Sequence, residues 1–311
     1  MSSIDNQELF EKYYQSEYDY NTKSLTNDDI AAIKKLVREK RVDYSIAPMG
    51  TKVFDWILDQ NQNINFEMAP FQSEKIDGML LIPQSGKDKA YVILNSNKPL
   101  INQIFTAAHE YYHYINDYKI FKEKPFICDF SDLKSVNEKK ASRFAAELLL
   151  PEAALYNEVT EYSRLIKVDN IKKMNFNQVA TFIIVMTVKY QMPLKAVIYR
   201  LFEENYIDSI DNYIKNYDFI KKVLIQIDIF KRRVNELYRT ENIYVTSFSD
   251  IYKNIEISYN SGLASKEDII RDSKTLELDK KIIDEMISEE ESIDDDFDDE
   301  DIIKIIKAKK V

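Results

Sequence analysis

His109, Glu110 and His113 are the residues whose types and spacing can do chemistry, read as H-E-x-x-H within FTAAHEYYHY, Phe105 to Tyr114. On a helix, positions four apart share a face, so both imidazoles can turn toward one metal ion while the intervening carboxylate stays near it. They are the only two histidines in 311 residues. A catalytic zinc ion takes three protein ligands and keeps a fourth position for water, whose pKa it lowers toward neutrality. His109 and His113 supply two ligands, and Glu110 is the candidate general base and proton shuttle. The chemistry expected is attack of activated water on a polarised carbonyl, most often that of a peptide bond, with no covalent intermediate.

Geometry narrows the choice of third ligand. A metzincin pattern would need glycine at 116 and histidine at 119, where the chain has Asn116 and Lys119, so that arrangement is excluded. Asp117 lies four residues past His113, but on an unbroken helix it sits a further turn along. The next helix carries Glu138 and Glu147, nine residues apart and therefore on opposite faces, so at most one can face the metal. Ala141, Ala145, Leu148 and Leu149 cluster around the direction of Glu138, which makes Glu138 the better ligand. A glutamate on an inward stripe needs a partner, and zinc would be one. The alternative is a solvated Glu138 favoured by the helix dipole at the first turn.

The elements that must position these residues are legible in outline. Thr26 or Asn27 caps a helix with Asp28 and Asp29 in its first turn and Ile30, Ile33, Leu36 and Val37 on one face. Pro48 and Gly50 end that region, and a second helix carries Trp56 as a core anchor. From Ile64 the period changes: Asn63–Phe71, Met79–Ile82 and Ala90–Leu94 read as three strands separated by Pro83 and Ser85-Gly86. Pro99 opens a helix in which Leu100, Ile104, Ala108, Tyr112 and Ile115 recur at helical spacing. A loop from about 117 to 136 leads to the helix NEKKASRFAAELLLP, which stops before Pro151. The rest reads as helical, with Val179–Tyr190 and Leu194–Phe202 as apolar helices packed in the core rather than as a helix-turn-helix.

HEYYH followed by EKKASRFAAELLLP resembles the ImmA/IrrE family of zincin-like metallopeptidases, whose second motif reads roughly E-x-x-A-N-x-F-A-A-E-L-L-M-P. Glu138, Ala141, Phe144, Ala145, Ala146, Glu147, Leu148, Leu149 and Pro151 match it; Ser142 and Leu150 depart from it, at positions that are not ligands. The resemblance extends to the strand AYVILN and covers roughly residues 60 to 207. It implies that the first Glu of the second motif, Glu138, is the third metal ligand, in agreement with the face argument. It also implies a cytoplasmic endopeptidase for few protein targets, often helix-turn-helix repressors of mobile elements or stress genes.

Composition bounds the rest. A single cysteine, Cys128, read as buried and inert, and a polar start without an apolar leader point to a reduced, cytoplasmic protein. The longest apolar run, near Val179–Val188, is too short to cross a bilayer. The net charge is -10, yet Asp284–Asp301 holds twelve acids and no base, so removing those twelve from 53 acids leaves 41 against 43 Lys plus Arg. The acidity belongs to the tail, and no basic stripe marks nucleic-acid binding. That tail reads as a solvated segment, with docking on a basic repressor or occlusion of the site as the alternative. Tyr111, Tyr112 and Tyr114 read as packing residues, with contact to a reacting oxygen as the alternative.

The expectation is therefore an α+β chain: a zincin-like metallopeptidase core, a small mainly antiparallel sheet plus the HExxH helix, embedded in a mostly helical chain. An N-terminal helical segment spans 1–60, the core 61–210, and a C-terminal helical accessory region 211–311, with its acidic tail at 289–301. The function expected is a zinc (Zn2+) endopeptidase with His109, His113 and Glu138 as ligands and Glu110 as catalytic base, acting on a protein substrate such as a DNA-binding repressor. Neither direct nucleic-acid binding nor membrane association is expected. The alternative is a non-proteolytic regulatory protein that retains the scaffold.

Overall fold

The computed structural model describes residues 25–71, 76–82, 89–118 and 136–245, with parts of 259–287. The N-terminal arm, residues 83–88 where a turn is expected, Cys128 with residues 119–135, and the acidic tail with residues 302–311 lie outside the described residues.

Helix α1 (Asn27–Lys40) begins at a capping box. The Thr26 hydroxyl accepts the Asp29 N–H at 3.1 Å, and the Asp29 carboxylate accepts the Thr26 N–H at 3.1 Å, so two donors without helical partners are satisfied together. Ile33 and Val37 are buried, while Ile30 and Leu36 are only partly so. The chain then reverses through Gly50, at φ +51°, where a Cβ would lie 2.5 Å from the Gln191 side chain. Gln191 Oε1 accepts the Thr51 N–H at 3.1 Å and pins that reversal. Helix α2 (Val53–Gln60) buries Val53, Phe54, Trp56 and Ile57, and the Trp56 ring meets Tyr111 edge-on at 5.3 Å.

Three strands follow: β1 (Ile64–Ala69), β2 (Gly78–Leu81) and β3 (Ala90–Asn95), in the spatial order β1-β3-β2. β3 runs parallel to β1, with Ile64 opposite Ala90, and antiparallel to β2, with Gly78 opposite Leu94. The sheet is therefore mixed, not mainly antiparallel. The cause is the insertion of β3 between its predecessors: the chain reverses into β2 and reverses again into β3, which restores the direction of β1.

Helix α3 (Leu100–Asn116) carries the HExxH residues, starts after Pro99 as expected, and is buried at every position from Leu100 to Tyr114. Its sequence suggested a single inward stripe. In the fold it is enclosed, packed on β2 and β3 and flanked by α2, by helix α4 (Val136–Leu149) and by the later helix Lys231–Tyr238. Helices α5 (Glu152–Leu165), α6 (Phe176–Tyr190) and α7 (Leu194–Glu203) complete this part of the core. α6 and α7 meet at 114° and bury nearly all of their apolar residues, as core packing predicts. Among the described residues no single helix is long and apolar enough to cross a membrane.

After α8 (Asp211–Lys215), helices α9 (Tyr217–Gln226) and α10 (Lys231–Tyr238) send Ile220, Leu224, Val234 and Leu237 into the same hydrophobic cluster as the sheet and α3. A separate small cluster joins Ile269 of α11 (Lys266–Thr275) to Ile283 and Ile287. The described chain is mostly helical with one small sheet, an α+β architecture.

Candidate metal centre

His109 and His113 lie one turn apart in mid-α3, and Glu138 lies in the first turn of α4, which packs alongside. Their donor atoms converge. His109 Nε2 is 3.1 Å from His113 Nε2 and 3.0 Å from Glu138 Oε2, and His113 Nε2 is 3.3 Å from Glu138 Oε1. A tetrahedral zinc site with bonds of about 2.0–2.1 Å has ligand-to-ligand edges of about 3.3 Å, so the triangle is of the size that such an ion requires. A shared cation would take both Nε2 lone pairs in place of a proton held between them. Among the described residues this is the group of three His, Cys, Asp or Glu side chains able to hold a metal ion, and all three are buried. The donor set fits a divalent metal.

The far ring nitrogens are held as well. Asp117 Oδ2 lies 2.8 Å from His113 Nδ1, and Ser142 Oγ lies 3.4 Å from His109 Nδ1 while donating to the Glu138 carbonyl at 2.9 Å. Each contact places an acceptor at Nδ1 and leaves Nε2 facing the centre, the arrangement that orients a histidine ligand. Asp117 is not one of the converging donors. At four residues beyond His113 its carboxylate reaches the back of the ring rather than the front, and that spacing was the available signal. Ser142, one of the two departures from the family pattern, joins His109 to the backbone of Glu138.

Burial dominates the electrostatics. Desolvation lowers the His109 pKa below its ordinary value, against the pull of Glu138. For His113 desolvation acts the same way, but hydrogen bonds to Asp117 and Glu138 overcome it and hold the ring up to about 10. Burial works to raise Glu138, yet contacts with both histidines hold it well below the usual carboxylate range. Glu110 is fully buried between the two histidines in sequence. Tyr111, Tyr112 and Tyr114 pack against Trp56, Phe144 and Tyr118 respectively, and burial pushes the Tyr111 and Tyr112 hydroxyls up to about 12.

Glu147 does not approach the centre. It is buried on the opposite face of α4, 2.7 Å from Arg143 and 3.0 Å from Arg200. Helical period separates the two glutamates by face, but nothing in the local pattern signals that the second face is also covered, by α1 and α7. There Arg143 and Arg200 also contact Glu203 and Glu204, and Lys34 of α1 reaches Glu204 at 2.9 Å.

Comparison with known proteins agrees with this geometry. Residues 59–202 match the Peptidase M78 family model, described as the IrrE N-terminal-like domain. That span contains the three strands and both helices that carry the centre. No curated protein matches the chain at a significant level. Residues 59–202 are thus an IrrE N-terminal-like domain of zincin-like fold, a match to the ImmA/IrrE family that the motifs resemble.

Proposed function

We propose that this protein is a zinc-dependent endopeptidase that hydrolyses a specific protein target inside the cell, of the helix-turn-helix repressor type. The observation that carries the reading is the convergence of His109 Nε2, His113 Nε2 and the Glu138 carboxylate at the contact distances of a three-ligand zinc site. His109, His113 and Glu138 would hold the ion; when bound there it supplies Lewis acidity, polarising a carbonyl and acidifying water. Glu110, adjacent to His109, would take the proton from the attacking water and pass it to the departing amine. Asp117 would keep the His113 proton on Nδ1, leaving Nε2 to the centre. Three protein donors beside a carboxylate of this kind favour a catalytic site over a structural one, which closes with four.

A second reading is favoured by the enclosure of the centre, since His109, Glu110, His113 and Glu138 are each at most 4% exposed. A chain that keeps the scaffold for regulation without proteolysis has no need of an accessible centre. The deciding experiment incubates the protein with a candidate helix-turn-helix repressor, with and without a chelator, alongside Glu110→Gln. The endopeptidase reading expects cleavage that chelator and Glu110→Gln both abolish while zinc is retained. Full biological activity of Glu110→Gln would instead establish the regulator. Deleting residues 211–311 is a poor discriminator, because α9 and α10 belong to the core.

A further inference from the structure

The N-terminus of the metal-binding helix is held from outside the family domain. Pro99, the N-cap of α3, makes no side-chain cap, so the first turn must find its acceptors elsewhere. Leu100 N–H donates to the Arg239 carbonyl at 2.8 Å. Gln103 is fully buried; its amide nitrogen donates to the carbonyls of Lys98 at 2.7 Å and Thr240 at 3.1 Å. Its amide oxygen accepts from Asn242 Nδ2 at 2.6 Å. Asn242 is itself locked, because its Oδ1 accepts the N–H groups of Tyr244 and Val245, each at 3.0 Å. Tyr244 in turn donates to Glu236 of α10 at 2.6 Å, and Glu236 pairs with Arg233.

Every polar atom of the Gln103 and Asn242 amides is engaged: the bonds of Gln103 tie α3 to its own lead-in and to the chain after α10, and those of Asn242 Oδ1 fix that chain locally. A polar network anchored on a fully buried amide and satisfied in this way favours one position for the elements that it joins. Gln103 precedes His109 by six residues, about 9 Å along a helix rising 1.5 Å per residue. A buried helix shifts as a rigid body, so a change at Gln103 moves both imidazoles relative to Glu138, which sits on another helix.

We infer that Arg239–Val245 is an axial brace for the metal-binding helix, and that Asn242 is a positioning residue for the centre, acting through Gln103. The inference rests on the metal-binding reading of His109, His113 and Glu138. It assigns to the region beyond the family domain a direct hold on the metal geometry.

The test uses the full chain and cobalt(II) as the probe. Asn242→Asp keeps the acceptor for Tyr244 and Val245 but removes the donor to Gln103. It should weaken cobalt affinity about 3- to 10-fold and shift the visible cobalt absorption, the size expected for a remote coupled position. Coupling is reciprocal, so in the unaltered chain cobalt binding should slow hydrogen exchange of the Tyr244 and Val245 amides by a similar factor. That second measurement needs no variant and decides the matter if Asn242→Asp does not fold. Unchanged exchange at those amides on cobalt binding, or unchanged cobalt affinity and spectrum in a folded Asn242→Asp, overturns the brace. An unaltered chain that binds no cobalt overturns the metal reading itself, and the brace with it.

Discussion

His113 and Asp117 meet across one helical turn, with Nδ1 of the imidazole 2.8 Å from Oδ2 of the carboxylate and Nε2 turned to His109. Asp117 is the C-cap of α3, and its own N–H bonds back to the His113 carbonyl at 2.8 Å. Backbone and side chain of one residue thus fix the ring that closes the centre.

Asp117→Asn should retain the fold and weaken zinc binding about 10- to 100-fold, the usual cost of removing a partner behind a histidine ligand. Ser142→Ala should cost less, because the Ser142 contact to His109 is longer, 3.4 Å, and involves no charge. Competition with a chromogenic chelator ranks the two. Equal affinities for Asp117→Asn and the unaltered chain would remove Asp117 from the site.

The pair Arg143 and Glu147 predicts an acid limit to stability. Burial acts to raise the Glu147 carboxyl, but Arg200 and Arg143 overcome it and hold it down to about 2, from an ordinary 4.5. A depressed folded-state pKa contributes stability that is fully present above 4.5 and is lost as the pH falls toward 2. The shift corresponds to about 3 kcal/mol at 1.36 kcal/mol per unit. Denaturant melts between pH 5 and pH 2 should show this loss, and Glu147→Gln should flatten it.

Glu147→Ala at neutral pH leaves two fully buried guanidinium groups with fewer carboxylates, and should destabilise the protein by about 3–5 kcal/mol. Lys35→Ala, in a pair with Glu39 whose side chains are 73% and 60% exposed, should be close to neutral. Chemical denaturation of both variants checks the contrast.

Gly78 sits where β2 crosses α3, and a Cβ there would lie 2.6 Å from Thr106 Cγ2 and 2.8 Å from the Ile93 carbonyl. Ile93 is sheet backbone and cannot withdraw cheaply, so Gly78→Ala should cost about 1–3 kcal/mol through overpacking. Because Thr106 is one turn before His109, zinc affinity should fall along with the melting temperature. A melting temperature equal to that of the unaltered chain would show that β2 can shift freely.

Local order was legible where it depends on neighbours in sequence. H-E-x-x-H on a helix, the Thr26 cap, the start after Pro99 and the choice of Glu138 over Glu147 all follow from helical period and turn chemistry, which act over three or four residues. The parallel pairing of β1 with β3 was not legible, since alternation of apolar residues sets the faces of a strand but not which neighbour it takes. Nor was the burial of Glu147, because a charged face reads as solvated until another helix supplies arginines to cover it.

The sequence by itself picked out the candidate donor set, His109, His113 and Glu138, and the carboxylate beside it, because two of the three spacings are intrahelical and the third needed only a face. Tertiary structure decided what holds that set in place: Asp117 and Ser142 behind the rings, and Asn242 bonded to Gln103 from 139 residues away. Those contacts come from how helices and loops pack on one another. Packing joins residues with no periodic relation in sequence, so no local pattern could have announced them.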